Sequence, residues 1–155
     1  MRKFMLLLAV LGLAGSLWAA NPDVGTWKLN LAQSKFSGPA PKEETLVVRV
    51  VSGQHEITFT GTESDGKSFS VTYTYPEEGG TVKSASPAPA GGADTTAFIT
   101  VVNPSNFYST TLKDGKQMSL QHIVISEDGK TKHRTIKGKN SQGKLLNEVQ
   151  VWDKQ

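Results

Sequence analysis

The chain has three histidines, His55, His122 and His133. The last two lie on either side of an Asp128-Gly129 turn. If that turn is a two-residue hairpin, His122 pairs with Thr135 and His133 with Val124. Both rings then share a face with Met118 and Leu120, as diagonal neighbours roughly 7–8 Å apart at the backbone, and a metal pair is imaginable. If Gly129 instead forms a bulge in a three-residue loop, His122 faces Arg134 and the pair dissolves. No carboxylate or cysteine stands at ligand spacing beside them, so no metal is expected and the histidines read as surface or partly buried side chains. Lys132 and Arg134 depend on the same register. In the bulged one they lie across from Val124 and His122, a position from which they could point inward. A buried arginine has to meet a ligand anion, a carboxylate or water. Arg134 is therefore the candidate for an anionic ligand group, set against the plainer reading of an ordinary basic outer face.

Aromatic side chains are the other resource. Trp27, Phe59, Phe69, Tyr73, Tyr75 and Trp152 fall in strand-like segments and would supply most of an aromatic interior, either as simple core or as the wall of a ligand cavity. Catalytic signatures are missing: no Gly-X-Ser-X-Gly, no His-Glu-X-X-His, no phosphate loop and no cysteine. Glu77-Glu78 falls in the turn Pro76 to Gly80, where solvated carboxylates are expected. No enzyme and no cofactor are predicted.

These residues need strands to position them, and the sequence is written in strands and turns. Ser68 to Tyr75 (SFSVTYTY) alternates strictly, with Phe69, Val71, Tyr73 and Tyr75 on one face. Period-two alternation of this length marks a half-buried strand. Thr45 to Ser52, His55 to Thr62, Thr95 to Val102, Phe107 to Lys113, Gln117 to Ser126, Thr131 to Lys139 and Leu145 to Asp153 continue the pattern. Asp65-Gly66-Lys67, Asp114-Gly115-Lys116, Asp128-Gly129-Lys130 and Gln142-Gly143-Lys144 separate several of them. Glycine at such turns supplies the positive φ of a short hairpin. With Gly25 to Leu31 as the first strand and Thr81 to Ser84 as a short one, about ten strands form an antiparallel meander. A sheet of that size curls and closes. The expectation is an all-β fold: one antiparallel up-and-down β-barrel of about 8–10 strands. Two longer connections, Ala32 to Glu44 and Ala85 to Asp94, read as loops inside a single domain; cutting at the second would leave halves too small to close a core.

The first residues point to export. Arg2 and Lys3 precede an apolar run from Phe4 to Leu13, followed by small residues up to Ala20. That is the order of a signal peptide, with cleavage expected after Ala19, giving a leader at 1–19 and a barrel domain at 20–155. The apolar run is shorter than the roughly 20 residues a spanning helix needs, so no membrane span is expected after its removal. A periplasmic or extracellular location follows. The formal charge of +3 includes Arg2 and Lys3; without them 15 basic residues face 14 acidic ones. So nearly neutral a domain gives no electrostatic case for nucleic acid or an anionic membrane.

Val24-Gly25-Thr26-Trp27-Lys28-Leu29 resembles the Gly-X-Trp opening of the lipocalin and fatty-acid-binding-protein (calycin) superfamily, and most closely the Gly-Thr-Trp-Lys-Leu start of the intracellular fatty-acid-binding proteins. Val149 to Lys154 is similar to their last strand. The chain also resembles a group of small secreted bacterial proteins of unassigned function, which share the Gly-Thr-Trp-Lys-Leu-Asn start, the Ser34 to Phe36 segment and a Gly-Lys-rich C-terminal hairpin. The resemblance implies a barrel whose tryptophan closes the floor and whose interior holds a lipophilic molecule. One departure stands out. Many fatty-acid-binding proteins hold a ligand carboxylate with an Arg-X-Tyr pair in the last strand, where Gln150 and Trp152 stand here. An amide and an indole donate hydrogen bonds but supply no charge. The expected function is an exported binding protein for a small lipophilic or amphipathic ligand, with Trp27, Phe59, Tyr73, His122, Arg134, Gln150 and Trp152 as its candidate ligand-binding residues. The alternative is an interaction or inhibitor-type envelope protein with a filled barrel, its partner held by loops such as Ala85 to Asp94.

Overall fold

In the computed structural model, residues 21–86, 95–140 and 142–155 are described. The expected leader and positions 87–94 of the Ala85 to Asp94 connection lie outside the described residues. The described chain is all-β. Its strands are β1 (Gly25–Leu29), β2 (Glu43–Val51), β3 (Gln54–Thr62), β4 (Ser68–Pro76), β5 (Gly79–Thr81), β6 (Lys83–Ser86), β7 (Thr95–Asn103), β8 (Asn106–Lys113), β9 (Lys116–Ile125), β10 (Thr131–Lys139) and β11 (Leu145–Lys154). All are antiparallel neighbours in one sheet, in the order β5-β7-β8-β9-β10-β11-β1-β2-β3-β4-β6.

Short hairpins dictate this order. Asp114 and Gly115 both take positive φ (50° and 72°), the two left-handed residues that let a two-residue turn follow the right-handed twist of its strands. The first and last strands pair as well, with Leu29 opposite Trp152. The seam left between β4 and β7 is covered by one extended stretch that changes partner midway. Gly80 of β5 pairs with Ile99 of β7, Val82 N–H donates to the Ala97 carbonyl at 2.9 Å, and Tyr73 of β4 pairs with Ser84 of β6. β5 and β6 thus act as one broken stave, and the meander becomes a nearly closed up-and-down barrel with few bare edges.

The connection before β2 is better ordered than a free loop. Asn30 ends β1 by accepting from the Gln33 N–H through Oδ1 (3.1 Å) and from Ser34 Oγ through its carbonyl (2.7 Å). Lys35 then exchanges both backbone hydrogen bonds with Val149 (2.6 and 2.9 Å), so the segment runs beside β11 where β1 has stopped.

Inward residues fill one half of the barrel. Trp27 and Trp152 are fully buried, and Leu29, Leu46, Val48, Tyr75, Ile99, Phe107, Ile123 and Ile125 complete the cluster. Phe59 packs at its margin, edge-on to Trp152 at 6.2 Å and to Tyr73 at 6.1 Å. Burial of this set is the main force holding the staves together.

Candidate functional site

The β9–β10 register decides what the interior contains. Thr135 pairs with His122, His133 with Val124 and Arg134 with Ile123. This is the register of the unbulged hairpin, although the loop opens to Glu127–Lys130: Ser126 N–H donates to the Thr131 carbonyl and Gly129 N–H to the Ser126 carbonyl, both at 2.8 Å. The face of β9 that turns inward is that of Ile123 and Ile125, while Val124 is exposed. Lys132 and Arg134 therefore point into the barrel in the unbulged register, not the bulged one. His122 and His133 lie on the outer face. His122 stacks on Tyr108 at 4.4 Å and bonds Asn106 Oδ1 at 2.8 Å. His133 is exposed. Of the seven residues singled out from the sequence, Trp27, Phe59, Tyr73, Arg134, Gln150 and Trp152 are brought inside, and His122 is not.

The interior has two polar stations. At the filled end, Asp23, His55 and Lys132 are all buried. Lys132 Nζ lies 2.6 Å from Asp23 Oδ1 and 4.3 Å above the Trp27 ring. Trp27 Nε1 donates to the Asp23 carbonyl at 2.9 Å. Burial pushes the Lys132 ammonium below its ordinary pKa, and the Asp23 charge works against that shift. His55 stacks on Tyr75 at 4.9 Å, and its Nδ1 is 4.0 Å from Asp23 Oδ2. Asn21 Nδ2 donates to His55 Nε2 at 3.3 Å, which leaves the neutral ring's proton on Nδ1 facing the carboxylate. Burial lowers the His55 pKa too, again opposed by Asp23.

The second station lies nearer the mouth. Arg134 Nε donates to Gln121 Oε1 at 2.8 Å and Nη1 to Gln150 Oε1 at 3.3 Å, and the guanidinium sits 5.7 Å from the Phe59 ring centre. Among the described residues no carboxylate comes within ion-pair distance of it. Burial weakens its hold on the proton, while Glu44 and Glu148 nearby strengthen it.

Gln150, a partner of Arg134, also lines a cleft of about 590 Å³. Phe36, Pro39 and Pro41 of the β1–β2 connection and Phe69, Val71 and Tyr73 of β4 are its apolar lining. Glu44, Glu63, Ser68, Ser70, Glu148 and Gln150 are interspersed with them as its polar lining. Glu44 turns inward because it is in phase with Leu46 and Val48 along β2, opposite Gly61 of β3. The Phe69 ring lies where a Cβ at position 61 would approach it to 3.0 Å, so glycine there lets the ring cover the strand. Burial raises the Glu44 pKa; Arg134 opposes this, while Glu63 and Glu148 push further upward. Burial also raises the Tyr73 pKa. Glu148 accepts from the Ser37 N–H and from Gln150 Nε2, each at 3.3 Å.

Glu44, Glu148, Asp23 and His55 were not foreseen as interior groups. Glu44, Glu148 and His55 could have been found, since each stands two residues from an apolar interior position on its strand. Asp23 precedes the first strand and carried no periodic signal. No family model and no curated protein matches this sequence.

Proposed function

We propose that the chain is an exported calycin-like barrel that holds a small amphipathic molecule in the cleft at its mouth. The observation that carries this reading is the division of the interior: one part is packed with side chains, and beside it lies a cleft of about 590 Å³ lined by aromatic and polar side chains together. Binding sites for small molecules are concave, mostly apolar and marked by a few convergent polar groups, at volumes of roughly 300–1,000 Å³. The calycin-type reading rests on the Gly-Thr-Trp opening and the closing Val-Trp strand, two segments whose Leu29 and Trp152 pair where the ends of the chain meet.

The test uses the mature protein and Nile red, an uncharged lipophilic dye. Saturable one-to-one binding is expected, and Val71→Trp, which fills the cleft from β4, should abolish it while leaving the far-ultraviolet spectrum unchanged. Native mass spectrometry of protein purified from its own host should show a retained small molecule. Dye binding that survives Val71→Trp would move the site elsewhere, and an empty protein that takes no dye would end the reading.

A further inference from the structure

From the charges on its wall, we infer that the cleft selects a cationic amphiphile, an ammonium group carried on an apolar body. This rests on the cleft being the ligand site and adds the sign of the head group. The three ionisable acids on the wall are Glu44, Glu63 and Glu148; no lysine or arginine lines the cleft among the described residues. Glu44 and Glu148 point inward from β2 and β11, and neither forms an ion pair with a described residue. Buried or half-buried carboxylates without a cation are unfavourable, and an opposite charge brought among them is favoured.

Arg134 is the cation among the described residues whose charge acts on Glu44, and it does not take that place. Its donors are turned to the amide oxygens of Gln121 and Gln150, and only Gln150 reaches the wall. An anionic head group in the cleft would meet the carboxylates first. An ammonium would meet them with its tail against Phe36, Phe69 and Tyr73, whose ring faces also attract cations. The sequence-level idea of an anion anchored on Arg134 is thereby replaced by a cation held in front of it.

Three probes with one tail separate the possibilities: decylammonium, decan-1-ol and decanoate, titrated calorimetrically below their micelle concentrations at neutral pH. Decylammonium should bind at least about tenfold more tightly than the alcohol, a difference of about 1.4 kcal/mol. Decanoate should bind more weakly than the alcohol. The double variant Glu44→Gln/Glu148→Gln should erase the preference for the amine over the alcohol. Equal affinities for all three, or a preference for decanoate, would overturn the head-group assignment and leave the binding function standing. No binding of any probe, together with no Nile red binding, would remove both. A preference for decylammonium that persists in the double variant would also overturn the assignment, because the selecting charge would then lie elsewhere.

Discussion

The two ends of the barrel interior treat buried charge in opposite ways. At the filled end the ammonium of Lys132 touches the carboxylate of Asp23 at 2.6 Å, under the fully buried Trp27. At the open end, among the described residues, the guanidinium of Arg134 is bonded to amides alone, and Glu44 and Glu148 line the cleft without an ion pair. The carboxylate and the ammonium at the filled end already have each other. Charge left without a direct counterion is unfavourable for folding and marks a candidate binding site. Position along the barrel thus separates structural polar groups from candidate binding groups more sharply than residue type does.

The largest consequence falls on the floor. Asp23→Asn leaves the Lys132 ammonium buried without a carboxylate and should cost about 3–5 kcal/mol of stability, read as a lower urea midpoint. Adding Lys132→Met removes the stranded charge and should recover most of that loss. Arg134→Met at the other end should cost only about 1–2 kcal/mol, since the groups it deserts, the buried Gln150 and half-buried Gln121 amides, are neutral. Similar losses for Asp23→Asn and Arg134→Met would erase the distinction between the ends.

How much of this was legible in the sequence differs between elements. The strict alternation of Ser68 to Tyr75 placed Phe69, Val71, Tyr73 and Tyr75 inside, where they are. Glycine turns gave the meander and most strand limits. Arg134 was harder. Both faces of β9 carry apolar residues, Met118, Leu120 and Val124 on one and Ile123 and Ile125 on the other. Period-two patterning alone could not say which face turns inward, and the fate of His122 hung on the same choice. The partner change between β5 and β6 was also hidden, because it is set by closure of the whole ring and not by any local residue preference. The pairing of Asp23 with Lys132 joins residues more than a hundred positions apart, and no pattern within one strand records it.

A smaller effect tests the floor through pH. The folded-state pKa of His55 is depressed by burial, so the unfolded chain takes up the proton first as pH falls. Stability then declines from about pH 7 downward, starting near the ordinary histidine value of about 6.5 and continuing to the lower folded-state pKa. His55→Phe keeps a ring against Tyr75 and removes the titration. The wild-type protein should lose stability relative to this variant between about pH 7 and pH 5, by on the order of 1 kcal/mol. Parallel pH profiles for the two proteins would show that His55 binds its proton equally well folded and unfolded, against the depression expected from burial.

The smallest expected change has the opposite sign and belongs to the mouth. Glu44 has a raised pKa, chiefly from burial and further from Glu63 and Glu148, with Arg134 working against them. The folded state therefore holds this proton more tightly than the unfolded state does. Its favourable contribution is complete below the ordinary glutamate value and is lost as pH rises through the folded-state pKa. At neutral pH the ionised side chain is a burden on the fold. Glu44→Gln, which keeps the shape and removes the charge, should raise the melting temperature at pH 8 by about 1–3 °C and change it little at pH 4, a gain of well under 1 kcal/mol. The same substitution should weaken decylammonium binding. A residue whose removal stabilises the free protein and impairs the complex is the pattern expected of a binding group. If Glu44→Gln instead destabilised the protein at pH 8, the carboxylate would already have its partner within the fold, and the mouth would be as self-contained as the floor.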